Sequence, residues 1–84
     1  MPYNVYLKRS AEKELEELPE KAHERIIEAV LSLRDNPFPR NAKKLHGRQG
    51  MRLRVGNYRV LYIVDDSRKR IEIISVADRK EAYR

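Results

Sequence analysis

The 84-residue chain has no cysteine. That removes disulfides, thiolate zinc sites and a cysteine nucleophile from consideration. No apolar run approaches the roughly 20 residues of a membrane-spanning helix, and no signal-peptide core is recognisable. The sequence therefore reads as cytoplasmic, with no membrane partner. Gly-rich phosphate loops and the Gly-x-Ser-x-Gly elbow are missing, and the two histidines, His23 and His46, are not at metal-ligand spacing. Asp65-Asp66 reads as a turn rather than a metal site, so no metal and no cofactor is expected. With no repeats, low-complexity segments or linkers, residues 1–84 read as one domain.

What the chain does have is positive charge, with 19 Lys/Arg against 13 Asp/Glu, a net +6 and a pI of about 9.8. Residues 1–42 hold 7 Lys/Arg and 8 Asp/Glu, net −1, whereas residues 43–84 hold 12 and 5, net +7. An excess of this kind suits an acidic partner, most often nucleic acid.

The basic half contains Met51–Tyr62, in which apolar residues alternate on both sides of Gly56-Asn57. Alternation predicts two half-buried strands, and Gly-Asn predicts a two-residue hairpin turn. In that register Val55 pairs with Tyr58, Arg54 with Arg59, Leu53 with Val60 and Arg52 with Leu61. One face carries Met51, Leu53, Val55, Tyr58, Val60 and Tyr62; the other carries Arg52, Arg54 and Arg59. Directly opposed like charges destabilise a sheet. The Arg54–Arg59 pair therefore favours a polyanion site over a merely solvated face.

Before the hairpin, Tyr3, Val5 and Leu7 alternate as a short first strand. Ser10 is a candidate cap for a helix carrying Ala11, Leu15 and Leu18, and Pro19 opens a second carrying Ala22, Ile26, Ala29, Val30 and Leu33. The exposed positions of this second helix, His23 among them, read as a solvated mixed-charge face. Asp35–Pro39 stops the second helix. Residues 36–50 read as a connecting loop with a basic cluster, Arg40, Lys43, Lys44 and Arg48, beside His46. After a polar turn at 65–70, Ile71–Val76 reads as the last strand. Pairing Val64 with Ile71 sets Tyr62 against Ile73, Leu61 against Ile74 and Arg59 against Val76. Leu61, Ile74 and Val76 would then form an apolar floor beside the arginines. The expected fold is α+β: an N-terminal strand, a helical hairpin and a three-stranded antiparallel meander, with the helices on one face of the sheet.

Arg52, Arg54, Arg59, Arg79 and Tyr83 form a constellation suited to RNA cleavage by attack of a ribose 2′-OH on the adjacent phosphate. Arginines stabilise the charge that builds on the phosphoryl oxygens without a metal. Tyr83 is the one titratable non-arginine member of the set; its reference pKa of about 10 is too high for an efficient base, and surrounding positive charge would lower it.

Three segments, Leu45-His-Gly, Arg52–Tyr62 and Ile74–Arg84, resemble the RelE branch of the RelE/ParE toxin superfamily, and the resemblance runs along the whole chain. It implies a prokaryotic type II toxin that cleaves mRNA in the ribosomal A site, inhibits translation and is neutralised by a RelB-like acidic antitoxin. The family's catalytic positions fall on Arg52, Arg54, Arg59, Arg79 and Tyr83. Arg40, Lys43, Lys44, His46, Arg48, Lys80 and Arg84 are the expected contacts to RNA and ribosome. Some relatives carry lysines at Arg52 and Arg54, and others a histidine at Asp78. A ParE-like inhibitor of DNA gyrase and a nucleic-acid-binding module without chemistry are the alternative readings.

Overall fold

The computed structural model describes residues 2–47 and 49–78. Its elements are β1 (Asn4–Leu7), α1 (Arg9–Glu16), α2 (Glu20–Ser32), β2 (Ala42–Lys44), β3 (Met51–Val55), β4 (Tyr58–Asp65) and β5 (Arg70–Asp78). The five strands form one sheet in the order β1-β5-β4-β3-β2. β2–β3, β3–β4 and β4–β5 pair antiparallel, whereas β1 returns parallel to β5. The class is α+β, as the sequence pattern predicts.

The β3–β4 hairpin has the predicted register throughout, from Val55–Tyr58 to Met51–Tyr62. Gly56 takes φ +58°, while Asn57 keeps a negative φ. This is the pattern of a type II′ turn, whose first central position favours glycine. A Cβ at Gly56 would also come within 3.2 Å of the Arg25 guanidinium.

Alternation decides which strand residues are buried. Met51, Leu53, Val60, Tyr62, Ile71 and Ile73 form one core with Leu15, Ile26, Val30 and Leu33, and Leu18 packs against its edge. Every member of that set is apolar except for the Tyr62 hydroxyl, which donates to the Pro37 carbonyl at 2.7 Å. Burial pushes the Tyr62 phenol up to about 12, because the anion would lose its hydration. The same hydrogen bond ties the β2-side loop to the core.

Several expectations change. The stretch from 36 to 50 is not all loop: Ala42–Lys44 adds a fifth, edge strand, pairing with Met51–Leu53. Three residues with two consecutive lysines give too little alternation to show as a strand. Ser10 does not cap α1. The helix starts at Arg9 with Lys8 in the cap position and no side-chain cap, and the Ser10 hydroxyl donates to the Ile74 carbonyl at 3.3 Å. His23 is half-buried, with Nδ1 3.0 Å from the Leu15 carbonyl, where it meets the end of α1.

The largest correction concerns β4–β5. Val64–Ile71 and Tyr62–Ile73 pair as predicted, but a bulge then sets Leu61 opposite Ser75, Val60 opposite Val76 and Arg59 opposite Ala77. Val76 is therefore a core residue, 2% exposed, and not part of the arginine face. A bulge inserts one residue and leaves backbone groups unpaired. Two side chains of α1 meet them: Ser10 at the Ile74 carbonyl, and Glu14, whose Oε1 accepts from the Val76 N–H at 3.1 Å. The first helix thus holds the irregular strand in place.

Candidate nucleic-acid interface

Because the helices and their core occupy one face, the side chains that alternate with the buried set lie on the other. Arg52 is directly opposite Lys43 across β2–β3, and Arg54 is directly opposite Arg59 across β3–β4. Four cations from three adjacent strands therefore share one end of the open face. Lys43 and Arg54 are exposed, and Arg52 and Arg59 are half-buried. Among the described residues no carboxylate forms an ion pair with Lys43, Arg52 or Arg54.

These residues line a cleft of about 460 Å³ together with Asn41, Leu53 and Tyr58. Asn41 fixes its rim twice: its side-chain amide donates to the Arg54 carbonyl at 2.7 Å, and its own carbonyl accepts from the Arg54 N–H at 3.1 Å. Sequence reading missed Asn41, since its partner lies 13 residues away on a strand it did not expect to be a neighbour. It also placed Lys43 with the loop cations, whereas β2 brings it into the arginine cluster.

The loop cations do not act as one group. Lys44 alternates with Lys43 and lines a separate cavity of about 300 Å³ with Phe38, Leu45, Gln49, Gly50, Met51 and Val64. Arg40 and His46 are exposed in turns. Arg48, Arg79, Lys80, Tyr83 and Arg84 lie outside the described residues. The last described residue, Asp78, pairs with Tyr58 at the hairpin end of β4, next to Arg59.

The apolar floor beside the arginines is also revised. Leu61 stays on that face, Ile74 is half-buried at the bulge, and Val76 is lost to the core. Ile63 and Ala77 take its place by alternation from Leu61 and by pairing with Arg59. Among the described residues no three His, Asp or Glu side chains gather as metal ligands would.

The profile of the family described as ParE toxin of type II toxin–antitoxin system matches residues 5–83. The chain belongs to the RelE/ParE toxin superfamily. It is RelE-like: the curated Toxin RelE of Mycobacterium tuberculosis is 36% identical over 99% of this chain and 88% of its own length. The solved RelE–RelB complex of Pyrococcus horikoshii includes a chain 33% identical, with a TM-score of 0.84 over 94% of this chain and 97% of that one. A chain of the RelBE2 toxin–antitoxin complex of Mycobacterium tuberculosis is 29% identical, with a TM-score of 0.85 over 94% and 100%. The RelE-like chain is thus a toxin of a type II toxin–antitoxin system. None of its described helices is long and apolar enough to cross a membrane.

Proposed function

We propose that this RelE-like toxin is a ribosome-dependent endoribonuclease that cleaves mRNA in the ribosomal A site and so stops translation. The observation carrying this reading is the open-face cluster in which Lys43 adjoins Arg52 and Arg54 adjoins Arg59. Stability alone disfavours such pairs, and a phosphate bound between them offsets the repulsion.

In the proposed reaction the ribose 2′-oxygen attacks the adjacent phosphorus. An O2′–P bond forms and the P–O5′ bond breaks, giving a 2′,3′-cyclic phosphate and a 5′-OH. Arg52, Arg54 and Arg59 stabilise the charge on the non-bridging oxygens, and Arg79, outside the described residues, is assigned the same role. Such preorganised cations act most strongly where water is excluded. One group must take the 2′-OH proton and another must protonate the departing 5′-oxygen. Arginine practically cannot be the base. Tyr83, also outside the described residues, is assigned one of these transfers. The chemistry needs no metal or cofactor. Arg40, Lys44, His46, Arg48, Lys80 and Arg84 are assigned to rRNA and mRNA phosphates.

A small acidic RelB-like antitoxin is the proposed neutralising partner. The solved relatives crystallised with RelB support it, as does the +7 charge of residues 43–84. A second reading, inhibition of DNA gyrase, is favoured by the ParE name of the matching family. One experiment separates them: incubate the toxin with translating ribosomes, map mRNA 5′ ends, and assay gyrase supercoiling in parallel. Cleavage within A-site codons with 5′-OH ends, persisting in EDTA under conditions that preserve the RNA substrate's structure, is the expected outcome. Products with a 5′-phosphate and 3′-OH would refute 2′-OH attack. Gyrase inhibition with intact mRNA would select the second reading.

A further inference from the structure

The open face does not end at the arginine cleft. At its opposite corner Tyr6 of β1 pairs laterally with Glu72, and the Arg70 guanidinium carbon lies 4.2 Å from the Tyr6 ring centroid. Tyr6 is 45% exposed, while its strand neighbour Val5 packs against the core. Arg70 and its neighbour Arg68 are exposed and flank a shallow cavity of about 180 Å³ with Ile63, Asp65 and Glu72. The nearby turn carboxylates already have partners: Asp65 bonds Ser67 and sits 3.9 Å from Arg68, and Asp66 accepts the Tyr3 hydroxyl. Glu72, half-buried beside Tyr6, is the remaining acid.

Between this corner and the cleft lie Leu61 and Ile63, both half-buried on the same face. Tyr6 and Arg52 are separated by three strand spacings and two residues along the strand. At about 4.8 Å per strand and about 3.4 Å per residue, that is roughly 16 Å. The distance suits a few nucleotides of extended RNA. An exposed ring and guanidinium plane, with further cations beside them and an apolar track leading away, form the usual platform for an unpaired base.

We propose that Tyr6 and Arg70 form a second RNA station, stacking a base of the strand whose scissile phosphate lies in the arginine cleft. This inference rests on the RNA-cleaving reading for the identity of the strand, but it concerns binding and not the chemical step. Tyr6 supplies the stacking surface, and Arg70 supplies both a stacking plane and a phosphate-attracting charge. The role is one of grip: loss of the station weakens binding and leaves the rate of the bound complex nearly unchanged.

The test is equilibrium binding of the full chain to a short labelled single-stranded RNA with 2′-O-methyl riboses, which cannot undergo 2′-OH attack. Tyr6→Ala and Arg70→Ala should each weaken binding by about fivefold to a hundredfold, as for the loss of one stacked base, while Tyr6→Phe stays within about twofold of wild type. In ribosome-dependent cleavage, Tyr6→Ala should raise KM and spare kcat. Circular-dichroism melting checks that the variants fold; if Tyr6→Ala unfolds, the Tyr6→Leu variant takes its place. Unchanged RNA binding in Tyr6→Ala and Arg70→Ala would overturn the proposal, as would no measurable binding by the wild-type chain. Intact RNA binding with weakened binding of an acidic helical peptide would reassign the corner to a protein partner. Wild-type RNA binding that depends on Tyr6 without any cleavage would keep the station and refute the nuclease reading instead.

Discussion

Replacing Glu14 with alanine tests how α1 controls the shape of the sheet. Glu14 Oε1 accepts the Val76 N–H at 3.1 Å, directly after the point where β5 bulges away from β4. Removing the carboxylate leaves that N–H without its partner. A hydrogen bond to a charged group contributes about 1.5–3 kcal/mol. The Glu14 side chain is half-buried, so the lower part of that range, about 1.5–2 kcal/mol, is expected. Alanine's better helix propensity offsets a few tenths of a kcal/mol. In a domain of this size each kcal/mol moves Tm by about 4–8 °C, so the net loss should lower the melting point of Glu14→Ala by about 5–14 °C. Glu14→Gln keeps a neutral acceptor and should lose about half as much. Hydrogen exchange supplies the specific readout: the Val76 amide should lose protection in Glu14→Ala more than the amides of β3, which Glu14 does not touch. The unbulged register would place Val76 opposite Arg59, as simple alternation predicts. Loss of Glu14 should therefore also disturb the position of Arg59 and lower RNA cleavage. Unchanged Val76 protection, or a melting temperature equal to wild type, would refute the assignment of Glu14 as the anchor of the bulge.

Arg54→Thr replaces one of two opposed cations with a good strand former, so it should raise stability by about 0.2–1 kcal/mol in denaturant titrations. That gain should shrink in concentrated salt, while cleavage falls about tenfold to a thousandfold; a variant less stable in low salt would contradict the repulsion argument. Tyr62→Phe should cost about 1–3 kcal/mol by leaving the buried Pro37 carbonyl unpaired. Because the folded Tyr62 phenol is raised to about 12 above an unfolded value near 10, its contribution is complete below about pH 10. It is lost as pH rises towards 12. Wild-type stability should therefore decline across that window more steeply than that of Tyr62→Phe, and equal slopes would contradict burial of the hydroxyl. Val76→Ala should destabilise by roughly 2 kcal/mol and Leu61→Ala by less, since Val76 is 2% exposed and Leu61 is half-buried; the reverse order in thermal melts would restore the unbulged register.

Amino-acid order alone determined the hairpin and much of the core. Gly56-Asn57 between two alternating runs leaves one low-strain turn, and in that turn a one-residue slip would bury Arg52 and Arg54. The side of the sheet that carries the arginines therefore followed from period-two patterning, as did the helical stripes of Leu15, Ile26, Val30 and Leu33 from the 3.6-residue period. The resemblance to the RelE branch was also legible, because it rests on motifs spread along the whole chain. What only the tertiary structure decided are relations between distant segments. The β5 bulge depends on Ser10 and Glu14, whose backbone partners lie more than 60 residues away, and no local pattern encodes that meeting. Lys43 joined the arginines, and Lys44 left them, only when a three-residue edge strand found β3. The Tyr6–Arg70 stack likewise exists because β1 returns parallel to β5. Local propensity fixes which face of a strand is apolar, but strand neighbours and register irregularities are chosen by the whole core and by the backbone groups that it must satisfy.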